Sequence, residues 1–299
     1  MFKDPALQDD FERNGFVIVD LLGGSQAAEL LESLIRLEAD APAWTPEGGE
    51  TLRQSFFHPD SAYRAAVDKA GRGLLEEALA RFVSGYRLLA AGHFIKGPHT
   101  PAMNLHRDWT VVRDPQFPSL NVWCPLVPVD ERNGTLAVLP GSQALPNVES
   151  AGVPRFYAAY GEVLKTLCVR PSLAPGQTLI FDNRVMHWST PNATEAPRHV
   201  LRGICMPADE RMVFYRLDVH AGGRRFEIVD VEDGGVLSGI PDDLEMGSSR
   251  KRSLGYIPNT NRPLSRSECV RILRRQETGP VWHRGPLRAL ARWGTRLSG

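Results

Sequence analysis

His106 and Asp108 stand two positions apart in the stretch NLHRDWTVV, among residues that favour strands. On a strand, positions i and i+2 face the same side, about 7 Å apart along the chain. A pairing of this kind sends an imidazole and a carboxylate into the same space. Taken alone it is a weak signal, because chance produces His-x-Asp in many chains and most copies decorate a solvated surface. His187, in FDNRVMHWSTPN, adds a second imidazole at the end of an apolar run. Two imidazoles and one carboxylate bind one face of an octahedral metal and leave three positions open. That is the arrangement expected of non-haem Fe(II) oxygenases, whose open positions take a bidentate co-substrate and O2. Arg198 lies eleven residues beyond His187 and opens the run RHVLRGICM. A guanidinium there can reach a chelated dicarboxylate and hold its far carboxylate by charge-assisted hydrogen bonds. Arg202 shares that strand face and competes for the role, and Ser189 could add a hydroxyl donor.

Residues so far apart in sequence meet only if the chain between them closes on itself, as alternating strands of a barrel do. The first third reads as helices with short strands. DPALQDDFERNG predicts a short helix stopped by Gly15, followed by a strand in FVIVDLL. SQAAELLESLIRLEAD predicts a second helix, with Ser25 as its N-cap and an apolar stripe of Leu30, Leu31, Leu34 and Leu37. A longer helix over SAYRAAVDKAGRGLLEEALARFVSG is weakened at Gly71 and Gly73. From about Tyr86 short strands follow one another: YRLLAAGHFIK, MNLHRDWTVV, SLNVWCPLVPV, LCVRPS, GQTLIFD, RVMHWS and RHVLRGICM. Asn133-Gly134 gives a strong hairpin signal, and VPRFYAAYGEVLKT interrupts with a helical insert. Near the end, SRSECVRILRRQ reads as a helix capped by Ser265 or Ser267. The expected fold is mainly β with flanking α, a double-stranded β-helix of the jelly-roll or cupin-like kind wrapped by N-terminal helices. The expected organisation is one domain over 1–299, with helical support in 1–85, the β-helix core in 86–208 and a substrate-shaping, basic extension in 209–299.

At 299 residues, with 42% hydrophobic and 23% charged residues, the chain has the composition of a globular protein able to bury a large core. Formal net charge is zero, so the molecule as a whole advertises no nucleic-acid or membrane partner. The balance is uneven, however. From Arg250 onward, twelve Lys and Arg face only Glu268 and Glu277, which makes those fifty residues +10 and the rest −10. A basic face paired within the molecule is the plain reading, and a docking surface for an anionic or carrier-linked substrate is the sharper one. The four scattered cysteines form no CxxC, and no leader-like or membrane-length apolar run occurs, so a cytoplasmic location is expected.

The pieces LHRDW (105–109), LNVWCPLVPVDERNGTLAVLPGSQ (120–143) and PGQTLIFDNRVMHWSTPNATEAPR (175–198) resemble the phytanoyl-CoA dioxygenase family of Fe(II)/2-oxoglutarate-dependent oxygenases. The resemblance runs in order from FERNGFVIVDLL to about Met206 and fades beyond it. It implies that His106, Asp108 and His187 ligate iron, and that Arg198 with Ser189 holds the C5 carboxylate of 2-oxoglutarate. It places Trp123 beside the co-substrate, where core packing is the competing reading. It also puts Lys96 near the pocket, where an exposed lysine is the plainer reading. The presence of Asp108 disfavours the family's halogenating variants, which carry a small residue there. The implied reaction hydroxylates an unactivated C–H bond of a small molecule with O2, releasing succinate and CO2.

Other residues are read more plainly. Trp109 should face away from the metal and pack. His99 is a polar loop residue or a lining of the pocket mouth, His199 should point away from Arg198, and RQSFFHPD (53–60) covers the barrel mouth or forms an internal staple. Two rivals stay open: a cupin-type metal isomerase or hydrolase, which needs no dicarboxylate anchor, and a non-catalytic barrel with a basic docking surface.

Overall fold

The long apolar runs become the strands of one large sheet. The computed structural model describes residues 1–46, 52–115, 117–146, 148–150, 157–231 and 252–274. Helix α1 (Pro5–Asn14) begins where Asp4 accepts the Ala6 N–H and ends at Gly15, left-handed at φ 81° with its N–H on the Phe11 carbonyl. Strand β1 (Phe16–Asp20) follows, then α2 (Gly24–Asp40). The cap of α2 is Gly23 rather than Ser25, because the Gln26 side chain reaches back to the Gly23 N–H and starts the helix earlier. Strand β2 (Leu52–Gln54) and a 3-10 turn over Ser55–Phe57 lead into α3 (Ser61–Leu79). That helix runs unbroken through both glycines. Gly71 lets its backbone lie on the sheet, where a methyl group would meet Leu201 and Ala91.

Strands β3 (Tyr86–Lys96), β4 (Leu120–Pro125), β6 (Gln177–Asp182) and β8 (Arg198–Pro207) join β1 and β2 in a six-stranded antiparallel sheet, ordered β1-β6-β4-β8-β3-β2. Opposite it lies a shorter layer. Strand β5 (Leu136–Val138) pairs with β7 (His187–Ser189), and single bridges extend the layer from His187 to His106 and from Val138 to Val169. The jelly-roll class is therefore correct, with three local differences. MNLHRDWTVV is extended chain touching the barrel at one bridge, LCVRPS likewise supplies only the Val169 bridge, and Asn133-Gly134 carries the chain from β4 in the large sheet to β5 in the small one instead of closing a hairpin. Helix α4 (Gly161–Lys165) packs outside the small layer. Beyond β8, strands β9 (Val213–Leu217), β10 (Arg225–Asp230) and β11 (Ser253–Pro258) form a three-stranded sheet, and α5 (Arg266–Arg274) begins at Ser265, whose N–H and hydroxyl bond Glu268. Much of the basic carboxyl-terminal stretch lies outside the described residues.

The interior has two main faces. Helices α1–α3 cover the outer face of the large sheet with Leu30, Leu34, Val67 and Leu75 against Val122, Ile180 and Leu201. The inner face, with Phe94, Trp123, Leu179 and Phe181, looks into the barrel. Gly176 fixes the turn into β6. Its φ is +85°, and a side chain there would run into the Leu22 carbonyl. Gly176→Ala is expected to cost about 2–3 kcal/mol, from left-handed strain plus the clash, seen as a lower urea midpoint with an unchanged slope.

Candidate metal centre and its cavity

His106 and His187 are direct neighbours across the small layer. Each donates its backbone N–H to the other's carbonyl, at 2.9 and 2.8 Å, and their rings lie 4.2 Å apart. Both side chains are oriented the same way. Nδ1 of His106 lies 2.8 Å from the Asn104 carbonyl, and Nδ1 of His187 lies 2.9 Å from the Val185 carbonyl. A carbonyl only accepts, so each Nδ1 carries the proton and each Nε2 presents a lone pair. Burial and the neighbouring His106 bring His187 down to about 3, which keeps it neutral and ready to ligate. Asp108 completes the group, with its Oδ2 3.7 Å from His187 Nε2. One ligand atom from each of the three residues lies within 4.8 Å of the others.

The carboxylate is held by a network that the sequence reading did not find. Asn121 Nδ2 and Arg202 Nη2 both donate to Asp108 Oδ2, at 2.7 and 2.8 Å. Arg202 Nε also donates to Asn121 Oδ1 at 2.6 Å, and Asn121 Nδ2 reaches Asn183 Oδ1. Burial alone would raise the Asp108 pKa, but Arg202, His187 and His106 outweigh it and hold the carboxyl at about 2. The signal available in the sequence was Asn121 itself, an amide inside the apolar run SLNVWCPL, where a buried polar group needs a partner.

Arg202 is thereby committed to Asp108, and Arg198 is left as the uncommitted cation of the pair. Arg198 is 2% exposed, its Nε meets no acceptor, and its guanidinium lies 5.3 Å from the Trp123 ring centre. Lys96, paired with Arg198 in the strand register, is 1% exposed and not a surface lysine. Its Nζ donates to Ser189 Oγ at 2.9 Å. Burial lowers Arg198 to about 9, and burial with Arg198 lowers Lys96 to about 7. Among the described residues neither cation has a carboxylate partner. Two buried cations and a hydroxyl with no acid among them form a site in want of an anion.

A family model for phytanoyl-CoA dioxygenase (PhyH) matches residues 11–200. This chain belongs to the phytanoyl-CoA dioxygenase family. The PhyH chain shares its fold with the epimerase SnoN, solved with Fe3+, alpha-ketoglutarate and nogalamycin RO. The TM-score is 0.51 at 24% identity, covering 70% of this chain and 87% of that one. It is similar also to the carbocyclase SnoK from nogalamycin biosynthesis, with TM-score 0.52 and 16% identity over 70% and 86% of the two chains. A third likeness is to EctD from S. alaskensis in its apoform, with TM-score 0.51 and 19% identity over 70% and 79%. No curated protein matches the chain.

In the PhyH chain the triad, Arg198, Ser189 and Trp123 all line one cavity of about 310 Å3, while Lys96 stands behind Ser189. Such a volume is at the lower end of small-molecule sites. Trp109 packs as expected, edge-to-face with Phe214 at 5.7 Å, but it does so in the wall of this cavity. The strict alternation expected to turn it from the metal holds for strands, and residue 109 is not in one. Gln54, Phe56 and Phe57 of RQSFFHPD line the cavity, while Phe56 also packs on Phe94 and His58 on Trp44 and Tyr63, so the segment has both of its expected roles in part. His99 is exposed and paired with Glu195, and His199 turns to the far side of β8, where its Nδ1 lies 3.0 Å from His93 Nε2. No helix among the described residues is long and apolar enough to cross a membrane.

Proposed function

We propose that this PhyH-family protein is an Fe(II)- and 2-oxoglutarate-dependent dioxygenase that hydroxylates an unactivated C–H bond of a small molecule. The observation that carries the reading is the conjunction of a His-Asp-His cluster with a buried arginine that has no acid partner among the described residues, both facing one cavity. His106, Asp108 and His187 would hold the metal through Nε2, carboxylate and Nε2. When bound, Fe(II) with 2-oxoglutarate and O2 supplies the oxidising power, releasing succinate and CO2. The chain supplies the rest. Arg198 and Ser189 hold the C5 carboxylate, Lys96 adds positive charge behind Ser189, and Trp123 flanks the co-substrate. Arg202 and Asn121 keep Asp108 ionised and aimed, and the apolar walls exclude water.

Adding 2-oxoglutarate to the anaerobic Fe(II) protein is expected to produce a weak visible charge-transfer band, and in air succinate should form. A flat spectrum would favour a metal isomerase or hydrolase. Product mass then separates hydroxylation, which adds one oxygen atom, from isomerisation and ring closure of the kinds named for SnoN and SnoK.

Lys96 gives the site a pH dependence. In the empty site it titrates at about 7, and a dianion nearby favours its charged form. Affinity for 2-oxoglutarate is therefore expected to fall as pH rises above about 7, by up to about tenfold per unit. Calorimetric titration of the Zn(II)-loaded protein from about pH 6 to about pH 9 checks this. Lys96→Met should be weaker throughout and should lack the slope that the wild type shows.

A further inference from the structure

The charges that line the cavity leave little for a charged substrate. Asp108 and Arg202 neutralise each other at 2.8 Å. Arg107, fully buried, donates to the Arg184 and Leu145 carbonyls and feels the Glu149 carboxylate directly. On the reading above, Arg198 is taken by 2-oxoglutarate. None of the described basic residues beyond residue 250 lines the cavity. Among the described residues the rest of the lining is mostly apolar, with an aromatic and thioether group of Phe56 and Phe57 after β2, Trp109 beside Asp108 in the chain, and Met212 and Phe214 at β9, together with aliphatic Leu52, Val111 and Ile204. Two edge-to-face pairs, Trp109–Phe214 at 5.7 Å and Phe56–Phe94 at 5.5 Å, border the same space. Phe57 is 47% exposed, a large aromatic surface kept in water at the mouth of the cavity. Gln54 is an uncharged polar group of the lining; of the others, Asn183 accepts from Asn121 and Ser189 accepts from Lys96.

We infer that the cavity takes a neutral substrate with a flat, fused-ring apolar face, stacked on Trp109 and Phe57 and oriented by a single hydrogen bond at Gln54. The inference rests on the proposed function for the occupancy of Arg198, and it names the substrate class of that site. Aromatic faces give large contact area and prefer offset or edge-on partners, which these four rings offer. A phosphate or carboxylate on the substrate would lose its water in this part of the cavity and, with Arg198 taken by 2-oxoglutarate, find no unpaired cation among the described residues that line it.

A charge series on one ring system tests this by calorimetry, with the full chain loaded with Zn(II) and saturated with 2-oxoglutarate. The probes are 2-naphthol, 2-naphthalenesulfonate and 1-naphthylmethylammonium, with decanoyl-CoA as the carrier-linked rival. The neutral ring is expected to bind at least tenfold tighter than either ion and tighter than decanoyl-CoA. Trp109→Ala and Phe57→Ala should each weaken naphthol about fivefold or more, with Trp109→Phe restoring most of it. Phe57 is half in water, so its variant does not endanger the fold. Tighter binding of the sulfonate or of decanoyl-CoA would overturn the inference, as would naphthol binding indifferent to both alanine variants. Naphthol binding in His106→Ala, measured without metal or co-substrate, separates the two readings. If it persists while the wild type makes no succinate, the proposed reaction fails and the aromatic site stands. If succinate forms and naphthol does not bind, the reverse holds.

Discussion

Asp108→Ala is expected to abolish succinate formation and to lower Fe(II) affinity by more than about 100-fold, the upper end of what losing a supporting contact alone costs. The variant removes one of the three proposed ligands and unpairs Arg202, whose Nη2 loses its carboxylate while Nε keeps Asn121. The pair is partly open to water, so the stability cost is discounted to about 1–3 kcal/mol from the larger values for fully buried pairs. Asp108→Asn keeps the shape and lacks the charge. It should retain more of the stability than Asp108→Ala while still losing most of the metal. Metal titration followed by thermal unfolding of both variants checks the ordering. Wild-type turnover in either one would remove Asp108 from the centre.

Arg198→Met should move stability and function in opposite directions. In the folded protein without co-substrate, Arg198 is a cation with an orphaned Nε and no acid beside it among the described residues, which burial penalises. An apolar side chain of similar length relieves that penalty, on the order of 2 kcal/mol, or roughly 3–6 °C in Tm. The same change removes the proposed partner of the C5 carboxylate. Truncating one side of a buried charged contact costs about 2–5 kcal/mol, so 2-oxoglutarate affinity should drop roughly 30- to 4,000-fold. The metal should bind nearly as before. A variant that melts higher yet needs far more co-substrate would be hard to explain if Arg198 were merely structural. Unchanged co-substrate affinity would eliminate the anchor.

Much of this was legible from residue order. The runs YRLLAAGHFIK, GQTLIFD and RHVLRGICM are long and apolar because both faces of the large sheet are covered, and they read correctly as β3, β6 and β8. Strand parity placed Arg198 and Arg202 on one face, yet it could not assign them different partners, because that depends on Asp108 arriving from another part of the chain. The segment around His106 misled. Its β-favouring residues suggest a strand, but it has one bridge, to His187, and otherwise only scattered backbone bonds, so strand alternation does not govern Trp109, which lines the cavity. Ser25 looked like a cap because local rules cannot weigh it against the Gly23–Gln26 contact. Lys96 looked like a surface residue because nothing in the sequence predicts burial of a lysine against a serine across the barrel.

The extended chain through residues 103–111 is pinned at intervals by backbone bonds from Met103 to Ser189, Asp108 to Asn183, Thr110 to Glu149 and Val213 to Val111. Between those pins a cavity wall, Trp109, adjoins the carboxylate of Asp108. A molecule that leans on the indole therefore pulls on the same short tether that steadies the acid. On the function proposed above, contact at the indole would be felt one peptide bond from the carboxylate proposed to hold the metal.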